Sequence, residues 1–314
     1  MKSFQSEANC DGQKGFCGPD HEKDSYQHVN KPIEIYLFID PLSYESWAFE
    51  PIIKKLYMEY GHYFMIRYVI GGRLESWNAY KQRVHGTQNN KGTFHSFSKT
   101  ISRNSIQCDG ELYHPPIIEP PYLAFIAIKA AELQGKRVGI RYLQKLREHL
   151  FLNNVSLTSE LIYQCAKEVN LDFREFERDV YSQSAHKAFQ CDVRFNFEME
   201  VDQYPTIILF NANIEEEGIK IPGQYAYEIY TQILEEMIGE PIKKRPVGHL
   251  LQFVQHFEIV SMKEISTIFN LQQQEVERIM KQMQLQQLVQ RIESVHGVFW
   301  RYLKNTSIRR IEKS

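Results

Sequence analysis

Residues 33–47 read IEIYLFIDPLSYESW, and this stretch decides the fold because it joins a strand to a helix through a short polar loop. Ile33–Ile39 is a run of β-branched and aromatic residues, which favours a strand. The run breaks at Asp40-Pro41, and apolar residues then recur at helical spacing from Ser46 to about Tyr60. Pro51 lies inside this predicted helix and should kink it, because proline lacks a backbone donor.

The elements outward from this stretch follow a recognisable order. Phe64–Ile70 predicts a second strand, and apolar stripes then predict helices over residues 121–134, 137–152, 158–169 and 172–189. Strand patterns return at Thr206–Phe210 and Ile214–Ile221, followed by a helix at Tyr225–Ile238. The order β-α-β, helices, β-β-α predicts an α/β protein: a thioredoxin-like, DsbA-like domain with a helical insertion at about residues 73–195.

Two further regions flank this domain. Residues 1–30 are polar, with almost no apolar periodicity, and predict a mobile N-terminal arm. The segment EPIKKRP at residues 240–246 predicts a linker that ends a domain of residues 31–240. Residues 241–314 then contain three helical patterns and two short strand patterns, which predict a winged-helix-like domain and tail: 247–257, 262–269, 272–284, 288–292 and 298–303.

Charge and cysteine content limit the functional classes. The net charge of −2 argues against a protein built mainly to neutralise phosphates, although residues from Pro241 onward carry +6 and the rest −8. No apolar run approaches the roughly 20 residues that span a bilayer. The 5 cysteines are irregularly spaced, which suits reduced thiols better than a disulfide framework. We therefore expect a cytoplasmic protein without a membrane partner.

Ser43 and Ser46 occupy the two positions at which a thioredoxin-like oxidoreductase carries its C-x-x-C pair. A serine hydroxyl cannot exchange with a disulfide at neutral pH, so dithiol catalysis at this site is excluded. The simplest interpretation is that both serines cap the helix. Two alternatives remain open: a kappa-class glutathione transferase or related DsbA-like enzyme that uses Ser43, and a dithiol lost or replaced by native or introduced serines.

The segment Tyr204-Pro205-Thr206 precedes a predicted strand and is expected to form the cis-proline loop that lies beside the dithiol in thioredoxin folds. Backbone groups in such a loop can pair with an extended partner chain. The alternative is a proline that merely opens a strand.

Two other candidate sites lie near the chain ends. Cys10, Cys17, His21 and His28 offer a Cys₂His₂ set suited to Zn²⁺, although their spacing matches no compact zinc finger. The predicted helix at residues 272–284 carries glutamines and two basic residues that could read DNA, but Glu275 and Glu277 would repel phosphate. A protein-docking role for the C-terminal domain is therefore favoured over a winged-helix DNA-binding regulator.

The segment KPIEIYLFIDPL, with Glu45, WAFEPIIKKL and IRYVIGGRLESWNAY after it, closely resembles the YjbH (SpxH) family of ClpXP adapter proteins. The Cys/His-bearing arm, VDQYPTIILF and the C-terminal pattern resemble that family too. Many members carry C-P-E-C where this chain has Ser43-Tyr44-Glu45-Ser46. This departure weakens a redox role but not a role in binding.

The resemblance implies a non-catalytic cytoplasmic adapter that binds the transcriptional regulator Spx and promotes its degradation by ClpXP. It implies zinc on the N-terminal arm, although no cofactor is required for binding. The residues expected to contact the partner lie around the serine pair and the proline loop, with core packing as the alternative for Trp47: Tyr44, Glu45, Trp47, Tyr204 and Pro205.

Overall fold

A computed structural model describes residues 32–72, 120–213 and 215–303. Its larger sheet has four strands: β1 (Ile33–Ile39), β2 (Phe64–Ile70), β3 (Thr206–Phe210) and β4 (Ile219–Pro222). They are arranged in the order β2-β1-β3-β4, with β2 parallel and β3 antiparallel to the central β1. The predicted strands are confirmed, except that β4 begins later than the sequence pattern suggested; Ile214 lies outside the described residues.

The helix after β1 is divided into two. Helix α1 (Tyr44–Ala48) ends at Phe49, and α2 (Glu50–Tyr60) begins directly after it. The expectation of one helix kinked at Pro51 is therefore wrong. Pro51 stands in the first turn of α2, where its missing N–H removes no hydrogen bond from the helix.

The helical insertion packs against this sheet. It comprises α3 (Pro120–Leu133), α4 (Lys136–Arg147) with a π-helical turn at Glu148–Leu152, α5 (Ser159–Glu168), α6 (Phe173–Val180) and α7 (Gln183–Glu198). The single helix predicted over 172–189 is instead two, because the hydroxyl of Ser182 accepts the Ala185 N–H and starts a new helix. The predicted partial helix at 74–84 lies outside the described residues.

After β4 the chain forms α8 (Tyr227–Ile238) and then the C-terminal unit. This unit contains α9 (Leu250–Phe257), β5 (Ile259–Ser261), α10 (Met262–Phe269), α11 (Gln273–Leu285), β6 (Val289–Ser294) and β7 (Gly297–Tyr302). The three helices and the β6–β7 hairpin agree with the sequence, which missed β5. The winged-helix assignment and the domain boundaries remain predictions.

Helix α2 contributes to two hydrophobic cores. Ile53 and Leu56 face the core of the larger sheet, whereas Met58 packs with the C-terminal core around Phe253 and Trp300. The linker follows the same helix, since the Arg245 N–H donates to the Glu59 carbonyl at 2.8 Å. The C-terminal unit is thus docked on the helix that follows the serine pair.

Candidate functional site

Three chain segments meet at the carboxyl end of β1. Phe38 lies opposite Thr206 across β1 and β3, which places the proline loop beside the start of the serine loop. The Tyr204–Pro205 peptide bond is cis, as the sequence predicts. Gln224, just after β4, donates from Nε2 to the Glu45 carbonyl at 2.7 Å. The structure therefore brings together the serine pair, the proline loop and the segment between β4 and α8.

Ser43 is the N-cap of α1. Its hydroxyl oxygen accepts the Ser46 N–H at 3.3 Å and donates its own proton to Glu45 Oε2 at 2.7 Å. These contacts satisfy one of the backbone donors that a helix N-terminus leaves unpaired. The capping interpretation of Ser43 is confirmed.

Ser46 does not cap the helix, so the capping interpretation is wrong for this buried residue. Its Oγ accepts the backbone N–H of Asp40 at 3.1 Å and so ties the loop after β1 to α1. A buried N–H without such a partner would cost about 1–3 kcal/mol. Both serines are thus engaged with the backbone of their own loop.

A fully buried guanidinium holds this loop from the insertion side. Arg147, at the end of α4, donates to the Pro41 carbonyl at 3.2 Å and the Asp40 carbonyl at 3.3 Å. Its third contact is an ion pair with Glu50 Oε1 at 2.8 Å. Arg147 was not predicted from the sequence, since nothing local marks a helical arginine as the partner of carbonyl groups more than 100 residues away.

Tyr204 links the proline loop to the neighbouring strand. Its hydroxyl donates to Asn196 Oδ1 at 2.8 Å, and Asn196 Nδ2 donates to the Ile70 carbonyl at 3.2 Å. Burial, with the nearby charge of Asp40, raises the pKa of Tyr204 to about 12. Pro205 is buried, and its carbonyl accepts the Gly223 N–H at 2.7 Å. Tyr204 and Pro205 thus anchor the loop, and their role in partner binding remains a prediction.

Tyr44 and Trp47 contact the C-terminal unit. The Tyr44 ring stacks on His296 with centroids 4.1 Å apart, and 38% of the residue stays exposed. Trp47 stacks on Phe299 and on Phe151, each at 5.3 Å. Such ring pairs each contribute about 0.5–1.5 kcal/mol. Trp47 therefore joins the two units of the chain. The sequence predicted partner binding or core packing for this residue, but not this role.

A groove runs between α1 and the C-terminal unit. Its volume is about 430 Å³, and its walls combine the aromatic cluster with the start of α10 and one face of α11. Glu264 on one wall is paired with Lys54 at 2.5 Å, so its charge is compensated. The groove forms only where the C-terminal unit packs on α1. The sequence of neither segment by itself could therefore predict it.

Thiol and metal chemistry find little support among the described residues. Burial raises the pKa of the Cys165 thiol to about 12, so its thiolate does not form at neutral pH. Within residues 32–72, 120–213 and 215–303, no three His, Cys, Asp or Glu side chains are grouped to hold a metal ion. The predicted zinc ligands, Cys10, Cys17, His21 and His28, lie outside these ranges.

Three kinds of known protein resemble this chain: a protein family, solved structures and curated relatives. A family model described as thioredoxin matches residues 36–232. Solved structures similar to this chain include the oxidoreductase DsbA from Xylella fastidiosa, with 10% identity, a TM-score of 0.41, and coverage of 68% of this chain and 90% of that chain. Another is the cytosolic disulfide reductase DsbM from Pseudomonas aeruginosa, with 13% identity, a TM-score of 0.40, and coverage of 66% and 98%.

Curated relatives share much more of the sequence. A ClpXP adapter protein SpxH from Halalkalibacterium halodurans is 42% identical over 306 residues, which cover 97% of this chain and all of the relative. The protein of that name from Bacillus subtilis is 38% identical, covering 89% of this chain and 92% of the relative. The likeness extends through the C-terminal unit, beyond the thioredoxin match.

Proposed function

Because the chain belongs to the SpxH family of ClpXP adapter proteins, we propose that it is a non-catalytic adapter that binds the transcriptional regulator Spx and promotes its degradation by ClpXP. The observation that carries this proposal is the 42% identity to such an adapter over 97% of the chain. The adapter acts in the cytoplasm and needs no cofactor for binding. Zinc on the N-terminal arm is a separate proposal.

The geometry around the serine pair supports a binding role. Ser43 and Ser46 provide caps and loop contacts instead of thiols, and Arg147, Tyr204 and Gln224 fix the surrounding backbone. A rigid surface of this kind lowers the ordering cost of association, which favours affinity without chemistry. Docking through shape and charge is also independent of any redox partner.

Reconstituted proteolysis tests the proposal directly. Purified ClpX, ClpP, ATP and Spx are mixed with and without the full-length chain, and the initial rate of Spx loss is measured. We expect an increased rate, and the same increase with Ser43→Ala, because the hydroxyl performs no reaction. A rate of Spx loss that is unchanged by the wild-type chain would contradict the adapter function.

The enzymatic alternative makes a different prediction. A kappa-class transferase or related glutathione-dependent enzyme would bind glutathione in a saturable way and lose that binding in Ser43→Ala. The hydroxyl of Ser43 is already bonded to Glu45 Oε2 and the Ser46 N–H, so no feature of the described site favours this alternative. Calorimetric titration with glutathione distinguishes the two.

A further inference from the structure

An exposed apolar patch adjoins the serine pair. Tyr44 is 38% exposed, Tyr225 49% and Ile229 38%. The hydrogen bond from Gln224 to the Glu45 carbonyl brings the segment before α8 next to α1. The Tyr225 N–H donates to the Tyr230 hydroxyl at 3.0 Å, which fixes Tyr225 just before α8, and Ile229 lies on the exposed side of the first turn of that helix.

The same surface is strongly acidic. Residues 40–50, 200–206 and 222–236, the segments that meet here, contain eight Asp or Glu and no Lys or Arg. Glu50 is compensated by Arg147 and Lys54. Six of the remaining carboxylates are on exposed residues: Glu45, Glu200, Asp202, Glu228, Glu235 and Glu236. Three lysines border this surface: Lys55 interacts with Glu228, Lys220 donates to the Glu200 carbonyl, and Lys263 lies at the far wall of the adjoining groove. The carboxylates outnumber them, so the surface keeps a net negative charge.

We propose that the acidic-aromatic face, defined by Tyr44, Tyr225, Glu228, Ile229 and Glu236, is the surface on which the adapter docks its client. The client presents basic side chains around an apolar centre. This inference rests on the proposed adapter function and adds to it the surface and the chemistry of the partner. Nucleic acids and anionic membranes are repelled by the same carboxylates.

The two components of the face have separable effects on binding. Carboxylates at the rim attract a basic partner over distances near the Debye length, about 8–10 Å at physiological salt, and so raise the association rate. The central aromatic and aliphatic side chains lose water on contact and therefore control dissociation. Substitutions at the rim and at the centre should consequently alter different rate constants.

The experiment measures association and dissociation of full-length adapter and purified Spx at several NaCl concentrations. We expect Glu228→Lys/Glu236→Lys to reduce the association rate about tenfold at low salt and to flatten its salt dependence. We expect Tyr225→Ala/Ile229→Ser to raise Kd about tenfold or more, mainly through faster dissociation.

Each variant has a matched control on a different surface. Glu177→Lys/Glu215→Lys changes the net charge by the same amount at exposed positions of α6 and of the turn at the opposite end of β3. Tyr181→Ala/Leu133→Ser removes side chains of similar exposure, 51% and 47%. Thermal unfolding of all four proteins identifies any variant that has lost its fold.

The outcomes separate the two proposals. Slower association of the charge variant, faster dissociation of the apolar variant and slower ClpXP proteolysis with both, while both controls stay at wild-type level, support the acidic-aromatic face. If folded face variants bind and deliver Spx as well as their controls do, the face is not the docking surface and the adapter function stands. A wild-type chain that neither binds Spx nor accelerates its proteolysis removes the adapter function and the face with it.

Discussion

At the scale of single residues, Tyr204 connects three segments of the site. It belongs to the proline loop, bonds to Asn196 on α7 and, through that amide, reaches the end of β2. Its hydroxyl is largely withdrawn from water, which is the main reason that its pKa rises to about 12. The ionisation of Tyr204 should therefore be coupled to unfolding.

We predict that the stability difference between wild type and Tyr204→Phe narrows with rising pH. At pH 9 the variant lacks one hydrogen bond and should be about 1 kcal/mol less stable. Because the folded pKa of Tyr204 exceeds the ordinary value of 10, wild type loses up to about 2.7 kcal/mol more stability than the variant as pH rises from 10 to 12, so the difference closes and then changes sign. Urea unfolding at pH 9 and pH 11 measures the difference.

Tyr44→Phe, at a partly exposed position where the ring stacked on His296 is kept, is the control for this experiment. If the difference in the free energy of unfolding between wild type and Tyr204→Phe stays constant over this pH range, the Tyr204 hydroxyl has the same pKa in the folded and unfolded chains.

Within the site, the contacts that could be predicted from the sequence are those between residues close together in the chain. Ser43 precedes a helical pattern, and capping needs only the next three residues, so its role could be predicted. Arg147 and His296 reach the site from about 100 and 250 positions away, and no periodicity in the sequence encodes such contacts. The unpredicted part of the site is therefore its long-range part.

At the scale of elements, α2 differs from an ordinary amphipathic helix because charged residues occupy its second buried face. Lys54 pairs with Glu264 at 2.5 Å and lies 4.4 Å from the centroid of the Phe257 ring. Lys55 donates to Asn270 Oδ1 at 2.6 Å. Residues that the sequence would assign to solvent are thus covered by the C-terminal unit.

We predict that Lys54→Met destabilises the chain by about 3–5 kcal/mol, because it leaves Glu264 buried without its counter-charge. Lys54→Met/Glu264→Gln should recover much of this loss, since glutamine is neutral and can still accept the Ser261 N–H in the capping box. Midpoints of urea unfolding provide the comparison. Lys281→Met, in an exposed pair with Glu277, should cost at most about 1 kcal/mol.

A Lys54→Met effect no larger than that of Lys281→Met would show that the Lys54–Glu264 pair contributes nothing to docking. Equal effects of the single and double variants would show instead that the lost packing of Lys54 is what matters.

The sequence predicted most elements correctly but not all of their ends. Strands β1, β2 and β3 are short β-branched runs with clear breaks, so their limits follow from composition. The helix predicted to end at Phe189 continues to Glu198, because Asn196 and its neighbours pack against the sheet despite a polar pattern. Tertiary contacts therefore determine where this helix ends, which its local helix propensity does not.

At the scale of the whole molecule, the two cores are joined through α2 and through side-chain contacts beside it. Met58 enters the C-terminal core, Arg301 pairs with Glu148 at 3.0 Å, and Trp47 stacks on Phe299. Among the described residues, no helix has the length and apolar composition needed to cross a bilayer. The shared helix implies that the two units support each other's folding.

We predict a single cooperative thermal transition for wild type, with equal calorimetric and van't Hoff enthalpies. Met58→Ala should cost about 2–5 kcal/mol and separate the transition into two, because it empties a place in the C-terminal core that α2 fills. Differential scanning calorimetry makes the measurement, with the exposed Leu285→Ala as control. Two transitions already present in wild type would contradict this coupling.

The π-helical turn at Glu148–Leu152 has a genetic consequence. It presents Glu148 to Arg301 on β7 and Phe151 to His296 in the β6–β7 turn, with ring centroids 6.3 Å apart, so this single turn reaches the C-terminal unit at two places. In a π-helical turn the backbone hydrogen bond joins residues five apart in the sequence, whereas in an α-helix it joins residues four apart. Insertion or deletion of one residue in this turn would rotate Glu148 and Phe151 about the helix axis. A single such mutation would therefore remove both contacts between the turn and the C-terminal unit.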